Sequence, residues 1–310
     1  MSNLFNNRFP LVSVIVITYN SADYIVETLE SIKSQTYANI EIIIADDCSV
    51  DETVEVSKKW LFDNIERFIG TKIVVSKKNL GVAGNCNSGL QQATGDWVKL
   101  IAGDDVLVCS AISSYMEYFA SNSVAKVVLA NLIFFGELNG NKNIDEKFGR
   151  LSVKQQLIYL LTYRGPAFGP SGMAQRETLL KIGGYDERVP MLEDYPMSLR
   201  FLTNDIKIHL LNKSLVKYRI RNGSISREEN FSVNVWNMLN SIALPEMWRQ
   251  KLFLLIWHHK IDLFIWKNRS SPLIKNKFIR YGIKLTDLIA WKLYFVRFLS
   301  KNSRKSTHSK

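Results

Sequence analysis

The chain has 310 residues, of which 46% are hydrophobic and 22% are charged, a composition typical of a globular protein and not of a disordered one. Its net charge of +11 would suit nucleic-acid binding, but residues 231–310 hold 15 Lys and Arg against 3 Asp and Glu, which leaves residues 1–230 nearly neutral. No zinc-finger or RNP-type signature accompanies the basic residues, so we expect no nucleic-acid partner.

Short apolar runs alternate with helical patterns over the first hundred residues. Continuous runs rich in Val and Ile are typical of strands buried on both faces of a parallel sheet, and they predict strands at 12–18, 40–45, 72–76 and 97–102. Helical spacing of apolar residues lies between them, at 25–32 and 51–62. This alternation predicts a parallel α/β sheet whose ligands bind at the carboxyl ends of the strands.

The pattern continues beyond residue 105. We predict a helix at 111–119, a strand at 124–134, an exposed polar loop at 136–150 and a helix at 153–161. The acidic pair Glu193 and Asp194 opens another helix, which Pro196 confines to starting at about this point. The shift in charge at residue 230 predicts two domains, an α/β domain at 1–230 and a basic, mainly helical region at 231–310.

Cysteine usage and the N-terminus bear on the compartment. Cys48, Cys86 and Cys109 form no CxxC pair, and we expect buried free thiols in a reducing compartment. The first twenty residues lack the pattern of a secretory signal, and no stretch has the roughly 18 uncharged apolar residues needed to span a bilayer. We therefore expect a cytoplasmic protein, on or off a membrane surface.

Polar or acidic residues follow three of the predicted strands, as "TYN" (18–20), "ADDCS" (45–49) and "AGDD" (102–105). A surface turn is the plain alternative for each stretch, but the coincidence at one sheet edge favours a functional site. Asp104 and Asp105 repel each other unless a counter-charge is present. Mg²⁺ or Mn²⁺ would supply it and complete its shell with substrate phosphates.

The usual phosphate-binding loops are absent from the sequence. "GNCNSGLQ" (84–91) has Leu90 and Gln91 where a P-loop needs Lys and Ser or Thr. No G-x-G-x-x-G follows the first strand, which disfavours dinucleotide-dependent redox chemistry. A nucleotidyltransferase would want a basic, Gly-rich loop after that strand, and "TYNSADY" is not one.

These stretches in this order resemble the family-2 glycosyltransferases, over roughly residues 10–226. The matching segments are "VSVIVITYN", "IEIIIADDCSVDET", "NLGVAGNCNSGLQQATGDWVKLIAGDD", "GPSGMAQRETLLKIGGYDE" and "MLEDYPMSLR". The resemblance implies the Rossmann-like nucleotide-binding sheet of the A-type glycosyltransferase fold, followed here by a mainly α-helical C-terminal segment.

The resemblance also implies a donor site. Its nucleotide-binding residues would be Thr18, Tyr19, Asn20, Asp47 and Asp104, with Tyr19 against the base and Asp47 hydrogen-bonded to it. A strand-end aromatic without a ligand is the alternative for Tyr19. Asp105 would be the direct ligand of a Mn²⁺ or Mg²⁺ ion that bridges the diphosphate. Val106 follows the pair, so the D-x-D form of the motif is not met and we expect one direct carboxylate ligand.

On the acceptor side, the resemblance implies that Asp194 is the general base. The helix N-terminus favours its ionised form, although a plain helix cap, or Glu193 as the base, remains an alternative. Ser171 and Gly172 would line the acceptor side together with Glu193. Arg221 stands where the family often has His, which suggests that Arg219 or Arg221 pairs directly with the diphosphate.

The C-terminal region combines positive charge with five of the seven tryptophans, at 236, 248, 257, 266 and 291. Basic helices with Trp, Phe and Leu lie in membrane interfaces and are attracted to anionic lipids. The alternative is a helical subdomain that packs on the catalytic domain. We favour contact with an anionic membrane surface, which predicts a peripheral protein on the inner face of the cell membrane.

The sequence thus predicts an inverting, metal-dependent transfer of a sugar from a nucleotide-diphosphate donor, with a UDP-sugar favoured. The acceptor would be a hydroxyl of a lipid-diphosphate-linked or growing glycan in bacterial surface polysaccharide synthesis. An alternative is an inactive sugar-nucleotide or glycan-binding protein on the same fold.

Overall fold

The structure is a computed structural model that describes residues 9–162, 166–221 and 231–267. The chain forms two compact units. Of the described residues, the first unit contains 9–160, 166–221 and 231–235, and the second contains 161–162 and 236–267. The predicted domain boundary at residue 230 stays a prediction, and residues 268–310, with Trp291, lie outside the described part.

The first unit is built on a mixed sheet. Its strands are β1 (Val12–Thr18), β2 (Ile40–Asp46), β3 (Gly70–Val75), β4 (Trp97–Ala102), β5 (Val106–Leu107), β6 (Val127–Gly136), β7 (Gly140–Lys142), β8 (Gly172–Gln175) and β9 (His209–Ile220). Within the described residues the strand order is β3-β2-β1-β4-β8-β6-β9-β5, and β7 pairs with β6. The β3-β2-β1-β4 half is parallel, as predicted, whereas β8 runs antiparallel to β4 and β6.

Helices of the first unit follow the strands in chain order. They are α1 (Ile25–Lys33), α2 (Thr53–Asn64), α3 (Gly81–Gln92), α4 (Ala111–Ser121), α5 (Glu146–Arg150), α6 (Val153–Leu161, whose last residue falls in the second unit), α7 (Arg176–Lys181) and α8 (Asp194–Thr203). The stretch 136–150, expected to be a loop, contains β7 and α5, so that expectation was wrong. The stretch is polar and has no periodic pattern of apolar residues that would indicate a strand or a helix. β7 forms nevertheless, because it pairs with β6 through backbone hydrogen bonds.

Alternate residues of β1 and β2 pack on opposite faces of the sheet. Val14 and Ile42 belong to the same buried cluster as Leu29 of α1 and Tyr115 of α4. On the other face α3 approaches closely, because a Cβ on Gly89 would lie 2.4 Å from Ile15 Cγ2. Burial on both faces explains why both strands read as continuous apolar runs.

The parallel register brings the strand ends to one edge. Thr18 pairs with Asp46, and Ile17 pairs with both Ala45 and Ala102. Gly103 then passes close to β1, since a Cβ there would come within 2.8 Å of Thr18 Cγ2. The three polar stretches predicted to meet therefore lie at the same carboxyl edge.

The described part of the second unit is helical, with α9 beginning in the first unit (Phe231–Met238), a π-helical turn (Leu239–Ala243), α10 (Leu244–Arg249) and α11 (Phe253–Lys267). None of the helices in the described part of the chain combines the length and the apolar character that crossing a bilayer demands. All three cysteines are free; Cys86 is buried, but Cys109 is exposed and Cys48 partly so. The expectation of three buried thiols was wrong for these two, which lie in loops rather than in core elements.

Candidate active site

The TYN stretch is tied to the end of β2. Thr18 Oγ1 donates to Asp46 Oδ2 at 2.9 Å, and the backbone N–H of Asn20 donates to Ser49 Oγ at 2.8 Å. Asn20 has a φ of 49°, a left-handed conformation that Asn tolerates better than most residues. These contacts leave the Tyr19 side chain outside the network, and it is 48% exposed. An open aromatic ring at this edge suits the predicted contact with a base.

Asp47, expected to hydrogen-bond the nucleotide base, has both carboxylate oxygens engaged within the protein. Its two oxygens accept the backbone N–H groups of Leu80 and Gly81 at 2.7 and 2.9 Å, at the start of α3. Burial raises its pKa, and these two hydrogen bonds offset the rise only in part. Asp47 thus fixes α3 against β2, and its bond to a base stays a prediction.

Asn85 was missed by the sequence analysis. Its amide donates to the carbonyl of Ala45 at 2.9 Å and to that of Thr18 at 3.3 Å, which joins the ends of β2 and β1 to α3. The Oδ1 atom of this buried side chain has no hydrogen-bond partner among the residues described. Nothing in its sequence context distinguishes it from a helix-surface Asn.

Asp105 is a buried carboxylate with one unsatisfied oxygen. Its Oδ1 accepts the backbone N–H of Arg219 at 2.9 Å, while Oδ2 has no partner within the described part of the chain. Burial raises the pKa of Asp105 well above its ordinary value, and the charge of Asp104 adds to the rise. Such an oxygen costs free energy unless a cation or donor reaches it.

A divalent cation fits this oxygen. Among the residues described, no three His, Cys, Asp or Glu side chains form a metal cage. The direct protein ligand would be Asp105 Oδ2, a hard oxygen, with the carboxylate of Asp104 next to it in the chain. Mg²⁺ and Mn²⁺ accept such a small protein contribution when substrate phosphates supply further ligands.

Arg219 and Arg221 hold the acidic pair from β9 and the residue that follows it. Arg219 Nε donates to the carbonyl of Asp104 at 2.8 Å, and its guanidinium also pairs with Glu27. Arg221 Nε donates to Asp104 Oδ2 at 3.0 Å. The Tyr24 ring lies 4.9 and 5.0 Å from the two guanidinium carbons. Contact of either arginine with a diphosphate stays a prediction.

Sequence reasoning missed Glu27 and Tyr24. Both lie on or next to α1, far from β9 along the chain, and Glu27 reads as an ordinary surface residue of an amphipathic helix. The only available signal was the acidic residue in the first turn of α1, which also fits a plain dipole interaction.

Asp194 begins α8, as predicted. Its Oδ1 accepts the N–H of Tyr195 at 2.6 Å, and its carbonyl accepts from Ser198 Oγ at 3.0 Å. The ionised form was expected to be favoured, and here the structure differs. Burial raises the pKa of Asp194, and the Tyr195 N–H and Lys142 offset the rise only in part.

Glu193 forms a coupled acidic pair with Asp194. Burial, followed by the charge of Asp194, raises the pKa of Glu193 to about 8. The two carboxyl groups therefore titrate as a pair over a range that extends towards neutral pH. A raised pKa makes a carboxylate a stronger base once it is ionised, which suits proton abstraction from a hydroxyl.

The GPSG segment lies beside Asp194. A Cβ on Gly169 would be 3.5 Å from Asp194 Cβ, and the Phe168 N–H donates to Ser198 Oγ at 2.6 Å. Gly172 packs under the ring of Phe168, which a Cβ would approach to 2.4 Å. Ser171 is buried, so its hydroxyl is not open to an acceptor. Its role on the acceptor side stays a prediction.

Both acidic pairs lie within electrostatic range of Tyr218 on β9. Burial raises the pKa of this phenol to about 12, and Asp105, Asp104, Glu193 and Asp194 all add to the rise. The predicted metal ligand and the predicted general base therefore both lie near Tyr218. Tyr218 could not be singled out from the sequence, because it lies in an ordinary strand pattern.

Comparison with known protein families gives a match over more than half of the chain. The model described as "Glycosyl transferase family 2" matches residues 13–180. A relative from Escherichia coli, named UDP-Glc:alpha-D-GlcNAc-diphosphoundecaprenol beta-1,3-glucosyltransferase WfaP, is 31% identical over 243 residues, which are 76% of this chain and 87% of that protein.

Two solved structures share the fold. Residues 1–349 of Staphylococcus aureus TarS in complex with UDP-GlcNAc superpose with a TM-score of 0.59 at 21% identity, covering 75% of this chain and 67% of that 1–349 chain. The mannosyltransferase PcManGT from Pyrobaculum calidifontis, in complex with GDP-Man and Mn²⁺, gives 0.58 at 16% identity, covering 92% of this chain and 86% of the other. The predicted fold class is confirmed.

Proposed function

Because the chain belongs to glycosyl transferase family 2, we propose that it transfers a sugar from a nucleoside diphosphate donor, with a UDP-sugar favoured, to a hydroxyl group. The acceptor would be a lipid-diphosphate-linked or growing glycan of a bacterial surface polysaccharide. The relative WfaP carries both a UDP-sugar and a diphosphoundecaprenol acceptor in its name, and TarS binds UDP-GlcNAc.

The observation that carries this proposal is the buried Oδ2 of Asp105, beside Asp104, which has no hydrogen-bond partner among the residues that the structure describes. A Mn²⁺ or Mg²⁺ ion held directly by Asp105 would neutralise charge on the diphosphate as it leaves. PcManGT binds GDP-Man together with Mn²⁺. Tyr19, open at the same edge, would stack on the base of the nucleotide.

Asp194 would act as the general base. Its carboxylate takes the proton of the acceptor hydroxyl while that oxygen forms a bond to the anomeric carbon. The bond from this carbon to the diphosphate oxygen breaks, and the electron pair leaves with the nucleoside diphosphate. One displacement from the opposite face inverts the anomeric configuration.

An inactive sugar-nucleotide or glycan-binding protein is the second candidate. It would use the donor side but would have no need for the partly buried pair Glu193 and Asp194, whose raised pKa values cost stability at neutral pH. We therefore favour the enzyme.

Calorimetric titration of UDP, GDP and dTDP, each with and without Mn²⁺, tests the donor site. We expect UDP to bind only when Mn²⁺ is present. Donor turnover with a panel of UDP-sugars and NMR of the product's anomeric centre then test transfer and inversion. Binding without turnover would favour the inactive protein, and absence of nucleotide binding would refute the enzyme and leave glycan binding as the role of the second candidate.

We also propose that residues 1–230 form the catalytic domain and that 231–310 bind the cytoplasmic face of the cell membrane. The described part of that region exposes four large apolar side chains, those of Trp248, Phe253, Leu254 and Trp257. Lys251 and Lys260 lie among these residues, and Lys260 Nζ is 5.8 Å from the Trp248 ring. Exposed aromatics among basic residues suit an anionic lipid surface.

Sedimentation with vesicles tests this contact. We expect the protein to bind vesicles that contain phosphatidylglycerol, and not pure phosphatidylcholine, in a salt-sensitive way. Replacing Trp248 and Trp257 with Ala should weaken binding about tenfold, while Phe62→Ala, which removes an even more exposed aromatic side chain from the first unit, should have no effect. Equal binding of all variants would refute the proposed surface.

A further inference from the structure

Lys99 is a lysine buried in the middle of β4, a strand that is otherwise an apolar run. Burying an ammonium group costs several kcal/mol unless its donors are satisfied. Here the three donors have three acceptors: Nζ donates to the carbonyls of Pro170, Leu100 (3.0 Å) and Gly172 (3.2 Å). Burial lowers the pKa of Lys99 to about 7, and the charge of Asp105 opposes that fall.

Tyr115 holds the residue between those two. Its hydroxyl donates to the Ser171 carbonyl at 2.5 Å, and its ring centroid lies 5.9 Å from Lys99 Nζ. Three consecutive carbonyls of the GPSG segment, at residues 170, 171 and 172, thus receive hydrogen bonds from two buried side chains. A hydrophobic residue such as Met would fill the Lys99 site without the desolvation cost, so packing alone does not account for a lysine here.

The segment held in this way contacts the other side of the site. Phe168 donates its N–H to Ser198 Oγ and to the Asp194 carbonyl, and Gly169 packs against Asp194 Cβ. Lys99 is also three residues before the end of the strand that leads to Asp104 and Asp105. Lys99 therefore joins β4, the strand that leads to Asp105, to the GPSG backbone beside Asp194.

We propose that Lys99 and Tyr115 are positioning residues, which hold the carbonyls of residues 170–172 so that the GPSG backbone sets the acceptor side against Asp194. Neither side chain touches a substrate. We call the hydrogen bonds from Lys99 and Tyr115 to these three carbonyls the clamp. Its consequence for catalysis rests on the proposed function, but the clamp itself can be tested without any ligand.

The ligand-free test is hydrogen–deuterium exchange. In Tyr115→Phe and Lys99→Met we expect the peptide covering residues 166–175 to exchange roughly tenfold faster, with little change elsewhere in the first unit. Ser57→Ala is the matched control, because it removes a buried hydroxyl that donates to a backbone carbonyl, that of Thr53, at 2.7 Å in α2. Its exchange at 166–175 should equal that of the wild type.

The functional test separates donor binding from turnover. With UDP and Mn²⁺ as the probe, both clamp variants should keep the wild-type stoichiometry and a Kd within about twofold. Their kcat for UDP release from the UDP-sugar that the wild type uses should fall roughly tenfold or more, and that of Ser57→Ala should not. A variant that was merely unfolded would lose binding stoichiometry as well.

The outcomes separate the two proposals. If the wild type shows no UDP binding or turnover, the proposed function fails, and the exchange experiment still decides whether the clamp exists. If the exchange at 166–175 is unchanged in Tyr115→Phe and Lys99→Met, or if both keep wild-type kcat, the positioning role is refuted. Should Lys99→Met fail to fold, Tyr115→Phe alone decides, since it removes one oxygen atom only.

Discussion

Replacing Asp194 with Asn isolates the step assigned to the general base. The amide oxygen of Asn can still accept the Tyr195 N–H that Asp194 Oδ1 accepts at 2.6 Å, so the start of α8 is retained. The substitution removes the basic oxygen and a charge whose burial is unfavourable, as the raised pKa of Asp194 indicates. We therefore expect a midpoint of thermal unfolding equal to or above that of the wild type.

The expected kinetic loss follows from the role. A positioned base contributes about 10²–10⁴ in rate, which is about 3–5 kcal/mol of barrier, so kcat should fall by that factor. UDP binding in the presence of Mn²⁺ should stay within about twofold of the wild type, because Asp194 is placed on the acceptor side. Continuous measurement of UDP release, with calorimetry of UDP binding, gives both quantities.

The pH dependence supplies a second check. A base works in its ionised form, so the rate rises with pH through its pKa. Because burial raises the pKa of Asp194, and because it titrates together with Glu193, whose pKa is about 8, kcat/KM should still be rising well above the ordinary Asp value of about 4. This rise should disappear in Asp194→Asn. Wild-type turnover in that variant, or an unchanged pH profile, would refute the assignment, and a larger loss in Glu193→Gln would move the role to Glu193.

Three further changes test the metal side, the sheet edge and the opposite end of the sheet. Asp105→Ala should raise the Kd for UDP with Mn²⁺ at least about tenfold, while chelation by EDTA should reduce the wild type to the same level; equal binding by both proteins would remove Asp105 as a ligand. Gly103→Ala should lower the free energy of unfolding by roughly 1–3 kcal/mol, measured by urea denaturation, because its Cβ would meet Thr18 Cγ2 at 2.8 Å. Glu41→Ala should lower it by roughly 3 kcal/mol or more, since Thr94 and Gly95 donate backbone N–H groups to this carboxylate. Burial pushes the pKa of Glu41 up but its hydrogen bonds outweigh it and the pKa is lowered, so the wild-type advantage should be present above about pH 4.5 and vanish as the pH falls through the lowered pKa.

The sequence could predict what depends on local patterns. The strands 12–18 and 97–102 were predicted to the residue, because each is an apolar run bounded by turn-forming residues. The start of α8 at Asp194 was predicted from an acidic pair before Pro196. The meeting of three strand ends followed from the parallel topology alone.

What it could not predict depends on partners far apart along the chain. Arg219 reads as a candidate phosphate ligand, and only the folded chain brings its guanidinium to Glu27 and its N–H to Asp105. Lys99 reads as an interruption of an apolar strand, since its acceptors in the GPSG segment lie about seventy residues away. Asp47 reads as a base-binding residue, and its two backbone donors at the start of α3 are more than thirty residues away. In each case the type of residue was visible in the sequence and its partner was not.

Glu41 and Asp105 are two buried carboxylates at opposite ends of the same sheet, and comparing them supports an active site at the carboxyl edge. Glu41, near the amino end of β2, accepts hydrogen bonds from Ser13, from the N–H and hydroxyl of Thr94, and from Gly95, and its pKa is lowered.

Asp105, beyond the carboxyl end of β4, is as deeply buried, yet one of its oxygens has no partner among the described residues, and its pKa is raised. The fold can therefore satisfy an internal carboxylate fully, and it does so where only stability is at stake. Leaving Asp105 unsatisfied beside Asp104, and raising the pKa values of a second acidic pair, Glu193 and Asp194, costs stability that a structural role would not require. That cost is accounted for if a cation bound with the donor completes the first pair and an acceptor hydroxyl meets the second.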